Sequence, residues 1–348
     1  MKWLLRLFFT FLMVGLFSAL GYWYVEHSLS PSSVKQPVEV EVKPGDSILN
    51  VGRELERKEL IKDDFLFVAY AFLKGRTKDL KAGVYEVPPG SGTPEILNIF
   101  TDGSQNVMRL TVPEGFTAEK IAAVLDKKGL DGDEFLQAVN RKEDYPDSFV
   151  KEIPSDRKRR YQLEGYLYPI TYNLPKGTDS KHLVQKMLQQ FERNMEREGI
   201  RPKLKEQNLT MDEWVTIASI IEREGKVEEE FPRIAGVIYN RLKVGKKLQV
   251  DATVQYALGE QKARLLYKDL EIKSPYNTYR IKGLPPSPIS NPGPKALRAA
   301  LEPEKHPYFY YVTRKDGSGL HYFARTEKEH LQNIERSKKE AAKEDGSQ

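Results

Sequence analysis

The chain has 348 residues, 30% of them charged and 39% hydrophobic, with a net charge of +5 and no cysteine. That length is enough for two or three domains, each with its own core. The lack of cysteine excludes disulfides, thiol nucleophiles and thiolate metal sites, and basic residues interleaved with acidic ones read as a solvated surface, not a nucleic-acid footprint.

In "MKWLLRLFFTFLMVGLFSALGYWYVEHS", Lys2 and Arg6 precede a 19-residue run, Leu7 to Val25, interrupted by Thr10 and Ser18. As a helix this run would be about 28 Å long, enough to cross a hydrocarbon core. Positive charge before it and Tyr22, Trp23 and Tyr24 at its end predict an uncleaved single-pass anchor with the N-terminus cytoplasmic and the body extracytoplasmic. Bulky aromatics occupy the region where a signal peptide has small residues. Residues 1–6 are then a cytoplasmic tail and 26–37 a Pro/Ser-rich linker.

From Val38 "VEVEV" alternates like a strand, "KPGDS" supplies a turn and cap, and "ILNVGRELERKEL" has apolar residues at helical spacing. The pattern returns seventy residues later: Ser47 matches Thr117, Val51 Ile121, Leu55 Leu125, Lys58 Lys128 and Phe65 Phe135. This predicts an α/β module over 38–150, with a second related copy at about 109–150. "LKAGVYEVPPGSGTPEILNIFTDG" adds a strand and a short helix to the first copy.

Beyond the basic run "SDRKRR" the chain is mainly helical, and an α+β domain is expected over 155–336, with a charged tail at 337–348. "SKHLVQKMLQQFERNMEREG" is amphipathic and ends at Gly199. Thr210 with Glu213 opens a second helix as a capping box, and "EEEFPRIAGVIYNRLKVG" has acidic residues at its start and Lys243 with Gly245 at its end. "YFYYVTRKDGSGLHYFA" reads as a β-hairpin turning at Asp316 and Gly317, and Thr326 with Glu329 caps a last helix.

No HExxH, GxGxxG, P-loop or GxSxG is present, and His27, His182, His306, His321 and His330 are not spaced as metal ligands. No metal or cofactor is expected. "SDRK" matches SxxK without its downstream partners. Polar clusters remain. Glu222 and Glu224 end a helix, where acidic side chains oppose the dipole. Gln249, Asp251 and Thr253 precede a short helix that Asp251 can cap. A stiff proline-rich loop, "YNTYRIKGLPPSPISNPG", presents Tyr276, Asn277, Tyr279 and Asn291 as exposed groups. In "RYQLEGYLYPITYNL" one carboxylate, Glu164, sits among Tyr161, Tyr166, Tyr168 and Pro169. If they exclude water, its pKa rises and it can donate a proton to a leaving oxygen near neutral pH. The stretch supplies no second carboxylate, so a hydrolase would need one from elsewhere, whereas a substrate carrying its own nucleophile needs only Glu164.

The ordered motifs "LEGYLYPITY", "ASIIEREG", "GVIYNRL", "LQVDATVQYALG", "YNTYRIKGLPPSPISNPG" and "YFYYV" resemble the YceG-like (MltG) family of endolytic murein transglycosylases, and "VKPGDSILNVGREL" resembles its LysM-like module. The resemblance covers nearly the whole chain. It implies that Glu164 is the catalytic acid/base, protonating the bond between N-acetylmuramic acid and N-acetylglucosamine and then deprotonating the muramyl 6-hydroxyl as it closes onto C1. It further implies a glycan cleft lined by Glu222, Gln249, Asp251, Thr253, Tyr276 and Asn277, with Tyr166 and Tyr168 where some members carry Trp or Phe. The implied partners are nascent peptidoglycan strands, the membrane and peptidoglycan synthases, and the implied role is termination of glycan elongation. A non-catalytic peptidoglycan-binding scaffold and a conventional muramidase-type hydrolase using Glu222 or Asp251 as base are the alternatives.

Overall fold

The computed structural model of the chain describes residues 24, 29–32, 34–102, 107–145, 149–175, 178–262 and 265–345. Apart from Tyr24, the expected membrane span lies outside the described residues. Among those described, no helix is long and apolar enough to cross a membrane. They form a mixed α+β structure, about half helical, with small two-stranded sheets. The chain divides into two compact units. One holds the chain through Leu110 together with Asn173–Thr178, and the other holds Thr111–Tyr172 and the chain from Asp179 on.

The first unit opens with β1 (Val38–Val42), α1 (Ile48–Arg57), α2 (Asp64–Leu73), β2 (Gly83–Val87) and α3 (Thr93–Asp102). β1 and β2 pair antiparallel, Val38 opposite Val87 and Val42 opposite Gly83. The alternation of "VEVEV" buries Val40 and Val42 and leaves Glu39 and Glu41 outside, as a two-residue period requires. These valines join Val51, Leu55, Phe67, Tyr85 and Phe100 in one apolar core.

The second unit contains α4 (Ala118–Lys127), α5 (Gly132–Asn140), α6 (Ser180–Arg197), α7 (Ile200–Glu206), α8 (Met211–Glu224), α9 (Phe231–Lys243), α10 (Asp251–Leu258), α11 (Tyr267–Leu270), α12 (Pro294–Leu301) and α13 (Glu327–Asp345). Strands β3 (Val107–Thr111) and β4 (Thr171–Pro175) pair in a further two-stranded sheet. α8 is the centre of the core. It is buried without interruption from Trp214 to Ile221, the signature of a helix surrounded on all sides. Thr210 and Glu213 cap it reciprocally as expected, and Trp214 Nε1 donates to the Leu297 carbonyl of α12 at 2.9 Å. The hairpin also forms: β5 (Tyr310–Thr313) runs antiparallel to β6 (His321–Ala324), joined through Asp316 and Gly317. α13 starts at the predicted Thr326–Glu329 cap.

The seventy-residue repeat has a structural counterpart, with one slip. Ser47 and Thr117 N-cap α1 and α4, and Lys58 and Lys128 end them. The next caps are Asp63 and Asp131, only 68 residues apart. Phe135, fully buried, therefore corresponds to the buried Phe67, and the expected match, Phe65, is 74% exposed. Two extra residues in the first connecting turn account for the shift.

Candidate active site

Glu164 lies in a tight turn that only glycine can follow. Gly165 has φ +94°, and a Cβ there would sit 2.4 Å from Pro288 Cβ. The turn leaves the Glu164 side chain 0% exposed. Three donors reach its carboxyl. The Ala118 N–H donates to Oε1 at 3.0 Å and Oε2 at 3.2 Å, Asn291 Nδ2 to Oε1 at 3.0 Å, and the Tyr256 hydroxyl to Oε2 at 3.2 Å. Ala118 is the first residue of α4. Thr117 caps the helix by accepting from Lys120 N, so the Ala118 N–H, which has no partner inside the helix, points at Glu164. Burial nevertheless outweighs these donors and pushes the Glu164 pKa up to about 8.

Asn291 ties the arrangement together. Its Oδ1 accepts from the N–H groups of Gly165 and Leu167, both at 2.9 Å, and its Nδ2 donates to the Phe116 carbonyl as well as to Glu164. Its own N–H donates to Phe116 O and its carbonyl accepts from Gly115 N–H. One amide thereby locks the turn carrying the acid to the loop that opens α4. The sequence placed Asn291 among exposed loop groups. It is instead 0% exposed, as is Asn277, and Tyr276 is 4% exposed. The prolines press the loop onto α8, where Ile289 N–H donates to Ser219 Oγ and Ser290 Oγ to the Ser219 carbonyl.

The remaining predicted residues separate into groups. Tyr166 is closed off in the core against Phe149 and Phe191, with its hydroxyl on Asp212 at 2.7 Å. Tyr168 lines a separate apolar cavity with Phe191, Trp214 and Leu297. Thr253 donates to the Val250 carbonyl at 2.7 Å, and Asn277 Nδ2 to the carbonyls of Leu270 and Ile272; both hold backbone. The Tyr276 hydroxyl takes the Arg160 N–H and meets Ser287 Oγ, and its ring packs 4.9 Å from that of Tyr256. Asp251 is not a helix cap. Val250 takes that place without a side-chain bond, and Asp251 Oδ1 accepts from the Tyr279 hydroxyl at 2.6 Å. Gln249 is exposed and held at φ +51°, with Oε1 3.3 Å from Arg241 Nη1.

Two further carboxyls are hard to ionise. Glu222 Oε2 accepts from Gly293 N–H at 3.0 Å, and burial raises its pKa to about 6. Glu224 accepts from the Tyr311 hydroxyl at 2.8 Å and is pushed by burial to about 7. Neither is hydrogen-bonded to Glu164. Tyr256, which touches Oε2 of Glu164, also lines an open cleft of about 180 Å³ together with Thr117, Lys120, Arg223, Gln255 and Ile289. Tyr256 and Ala118 carry no signal in the sequence. "VQYALG" carries no ionisable group that would single out its tyrosine, and a backbone N–H leaves no trace in composition.

Residues 40–336 match the model of a family described as YceG-like. The chain is 34% identical over 309 residues to the endolytic murein transglycosylase of Bacillus subtilis strain 168, covering 85% of this chain and 83% of that protein. It is 32% identical over 341 residues to the endolytic murein transglycosylase of Streptococcus pneumoniae serotype 2, covering 90% of this chain and 61% of the pneumococcal protein. The crystal structure of a YceG-like protein from Listeria monocytogenes matches with a TM-score of 0.59 at 36% identity, covering 86% of this chain and 99% of that one.

Proposed function

The chain belongs to the YceG-like family, and we propose that it is an endolytic lytic transglycosylase that cuts murein between N-acetylmuramic acid and N-acetylglucosamine with Glu164 as its single acid/base. The observation carrying this reading is a fully buried carboxyl with a pKa near 8, held by three neutral donors and hydrogen-bonded to no other carboxylate among the described residues.

At neutral pH Glu164 holds its proton. It donates that proton to the glycosidic oxygen as the bond to muramyl C1 breaks, and N-acetylglucosamine leaves as the alcohol. The new carboxylate is stabilised by Ala118 N–H, Asn291 and Tyr256, donors fixed before the charge appears. It then takes the proton of the muramyl 6-hydroxyl as that oxygen bonds to C1. The product is a 1,6-anhydro end, Glu164 is again protonated, and no water is consumed. Tyr256 stands between Glu164 and the cleft, so its hydroxyl must give way to the sugar oxygen or relay the proton to it.

The finer parts of the reading rest on other features. Leu7–Val25, with Lys2 and Arg6 ahead of it, supports a single-pass anchor with the catalytic unit outside the cytoplasm. The short linker supports action on strands emerging beside the membrane, hence termination of elongation next to a peptidoglycan synthase. The β1–α1–α2–β2 order supports a LysM-like glycan-binding module.

The test is mass analysis of products from uncrosslinked glycan strands incubated with the wild type and Glu164→Gln. Wild type alone should produce anhydro-muramyl ends, with the variant at least a thousandfold slower. Equal cleavage by both would remove Glu164 from the chemistry, and reducing ends in place of anhydro ends would mark a hydrolase.

A further inference from the structure

The cleft beside Glu164 contains two cations that the proton transfer does not use. Lys120, in the first turn of α4, and Arg223, near the end of α8, both line it and both are half-buried. Two carboxylates, Glu119 and Glu260, line the same cleft, but each is paired with another cation or hydroxyl. Glu119 accepts from Arg160 Nη2 at 2.7 Å and from the Tyr161 hydroxyl at 2.9 Å, and Glu260 pairs with Lys262 at 3.1 Å. Lys120 Nζ donates to the neutral Gln261 Oε1 at 2.9 Å and lies 5.7 Å from the Phe116 ring centre. Arg223 Nη1 reaches only the Gly115 carbonyl, at 3.5 Å. Its chain neighbours Glu222 and Glu224 attract its charge, but they accept from Gly293 N–H and Tyr311. Among the described residues no carboxylate lies within ion-pair distance of Lys120 or Arg223.

Burial lowers the pKa of both groups, and the charge of Arg223 lowers that of Lys120 further. Two partly desolvated cations facing one cleft, neither in ion-pair contact with a carboxylate among the described residues, are unfavourable, and an anion bound by both relieves desolvation and repulsion. The position is also apt, because Lys120 lies two residues beyond Ala118, which holds the acid.

We infer that Lys120 and Arg223 form an anion subsite that takes a carboxylate borne by the muramoyl residue at the scissile bond, so that the enzyme selects charged over neutralised murein. This rests on the murein-cleaving reading of the site. Two sources carry the chemistry: the lactyl carboxylate, free once the stem peptide is removed, and the carboxylates of the peptide when it is present.

The experiment uses the full chain in detergent with uncrosslinked strands of two kinds, denuded and peptide-bearing, each with its carboxylates free or converted to methylamides. Formation of anhydro ends is followed for the wild type, Lys120→Gln, Arg223→Gln, the double variant, and the charge-keeping pair Lys120→Arg and Arg223→Lys. The wild type should prefer free carboxylates by about ten- to a hundredfold in kcat/KM, mostly through KM, the range expected of charged hydrogen bonds. The double variant should treat both forms alike and the charge-keeping pair should retain the preference. The strand type showing the preference identifies the carboxylate. An unchanged preference in the double variant, or none in the wild type, overturns the subsite. If the wild type makes no anhydro ends, the transglycosylase reading fails. Fluorescence anisotropy of end-labelled strands on Glu164→Gln, with and without the two substitutions, then reads the anion preference independently, and its absence overturns the subsite.

Discussion

A carboxyl that donates a proton at neutral pH and then serves as base must be costly to ionise yet stabilised once it has done so, and around Glu164 these demands fall on different groups. Burial raises the pKa, and Ala118 N–H, Tyr256 and Asn291 limit the rise. Asn291 also fixes the turn, so its two roles can be separated by substitution. Asn291→Ala removes the acceptor for the buried N–H groups of Gly165 and Leu167. At about 1–3 kcal/mol for each of the two orphaned groups, urea denaturation at pH 7 should show a loss of about 2–6 kcal/mol. Asn291→Asp keeps that acceptor but sets a carboxylate beside Glu164 and removes a donor. Both changes raise the pKa of Glu164. Since activity falls as an acid group loses its proton, the alkaline limb of the pH profile should move to higher pH while kcat drops. A limb that stays in place would mean that Asn291 does not act on the proton.

At the scale of elements, the acid depends on how α4 begins. Thr117 caps the helix, and the next residue presents its N–H to Glu164. Thr117→Ala should cost about 1 kcal/mol of stability. It should also lower kcat several-fold, because it loosens a donor to the acid, with a smaller change in KM from the loss of a hydroxyl at the cleft wall; a change confined to KM would place Thr117 in binding instead. This cap was legible in the sequence, as were the Thr210–Glu213 and Thr326–Glu329 caps, because capping uses fixed residue types at fixed spacing. Position along a loop is not written in that way. The proline-rich stretch read as a stiff loop of exposed groups, yet the bonds of the Ile289 N–H and the Ser290 hydroxyl to Ser219 hold it against α8 with Asn291 buried, a result of tertiary packing that no local period encodes. Tyr166 illustrates the converse. It follows Glu164 closely in sequence, but its ring goes into the core, and the groups that touch the acid come from residues 118, 256 and 291. Asp251 failed as a cap because helix α10 starts one residue too early for it, leaving its carboxylate to Tyr279.

Over the whole molecule, carboxyls are shifted in opposite directions, and this sets how stability changes with pH. Asp63 and Asp179 cap helices and Glu54 pairs with Arg57, which lowers their pKa values. Their contributions are present above the unfolded pKa and disappear as acid protonates them. Glu164, Glu224 and Glu222 are shifted upward by burial, to about 8, 7 and 6. For Glu164 the unfolded chain gives up its proton near 4.5 while the folded chain keeps it until about 8. Between these values the unfolded state binds fewer protons, so rising pH favours unfolding, by up to about 1.4 kcal/mol per pH unit. Glutamine has no such linkage and suits the same partners: its oxygen can accept from Ala118 N–H and Asn291, and its amide can face the Tyr256 oxygen. Glu164→Gln should therefore be nearly as stable as the wild type below pH 4.5 and progressively more stable up to about pH 8, with a constant gap beyond. Denaturant midpoints of both proteins from pH 4 to 9 measure this gap. A gap that does not change with pH would mean that Glu164 ionises as an ordinary carboxyl, and the mechanism would lose its acid.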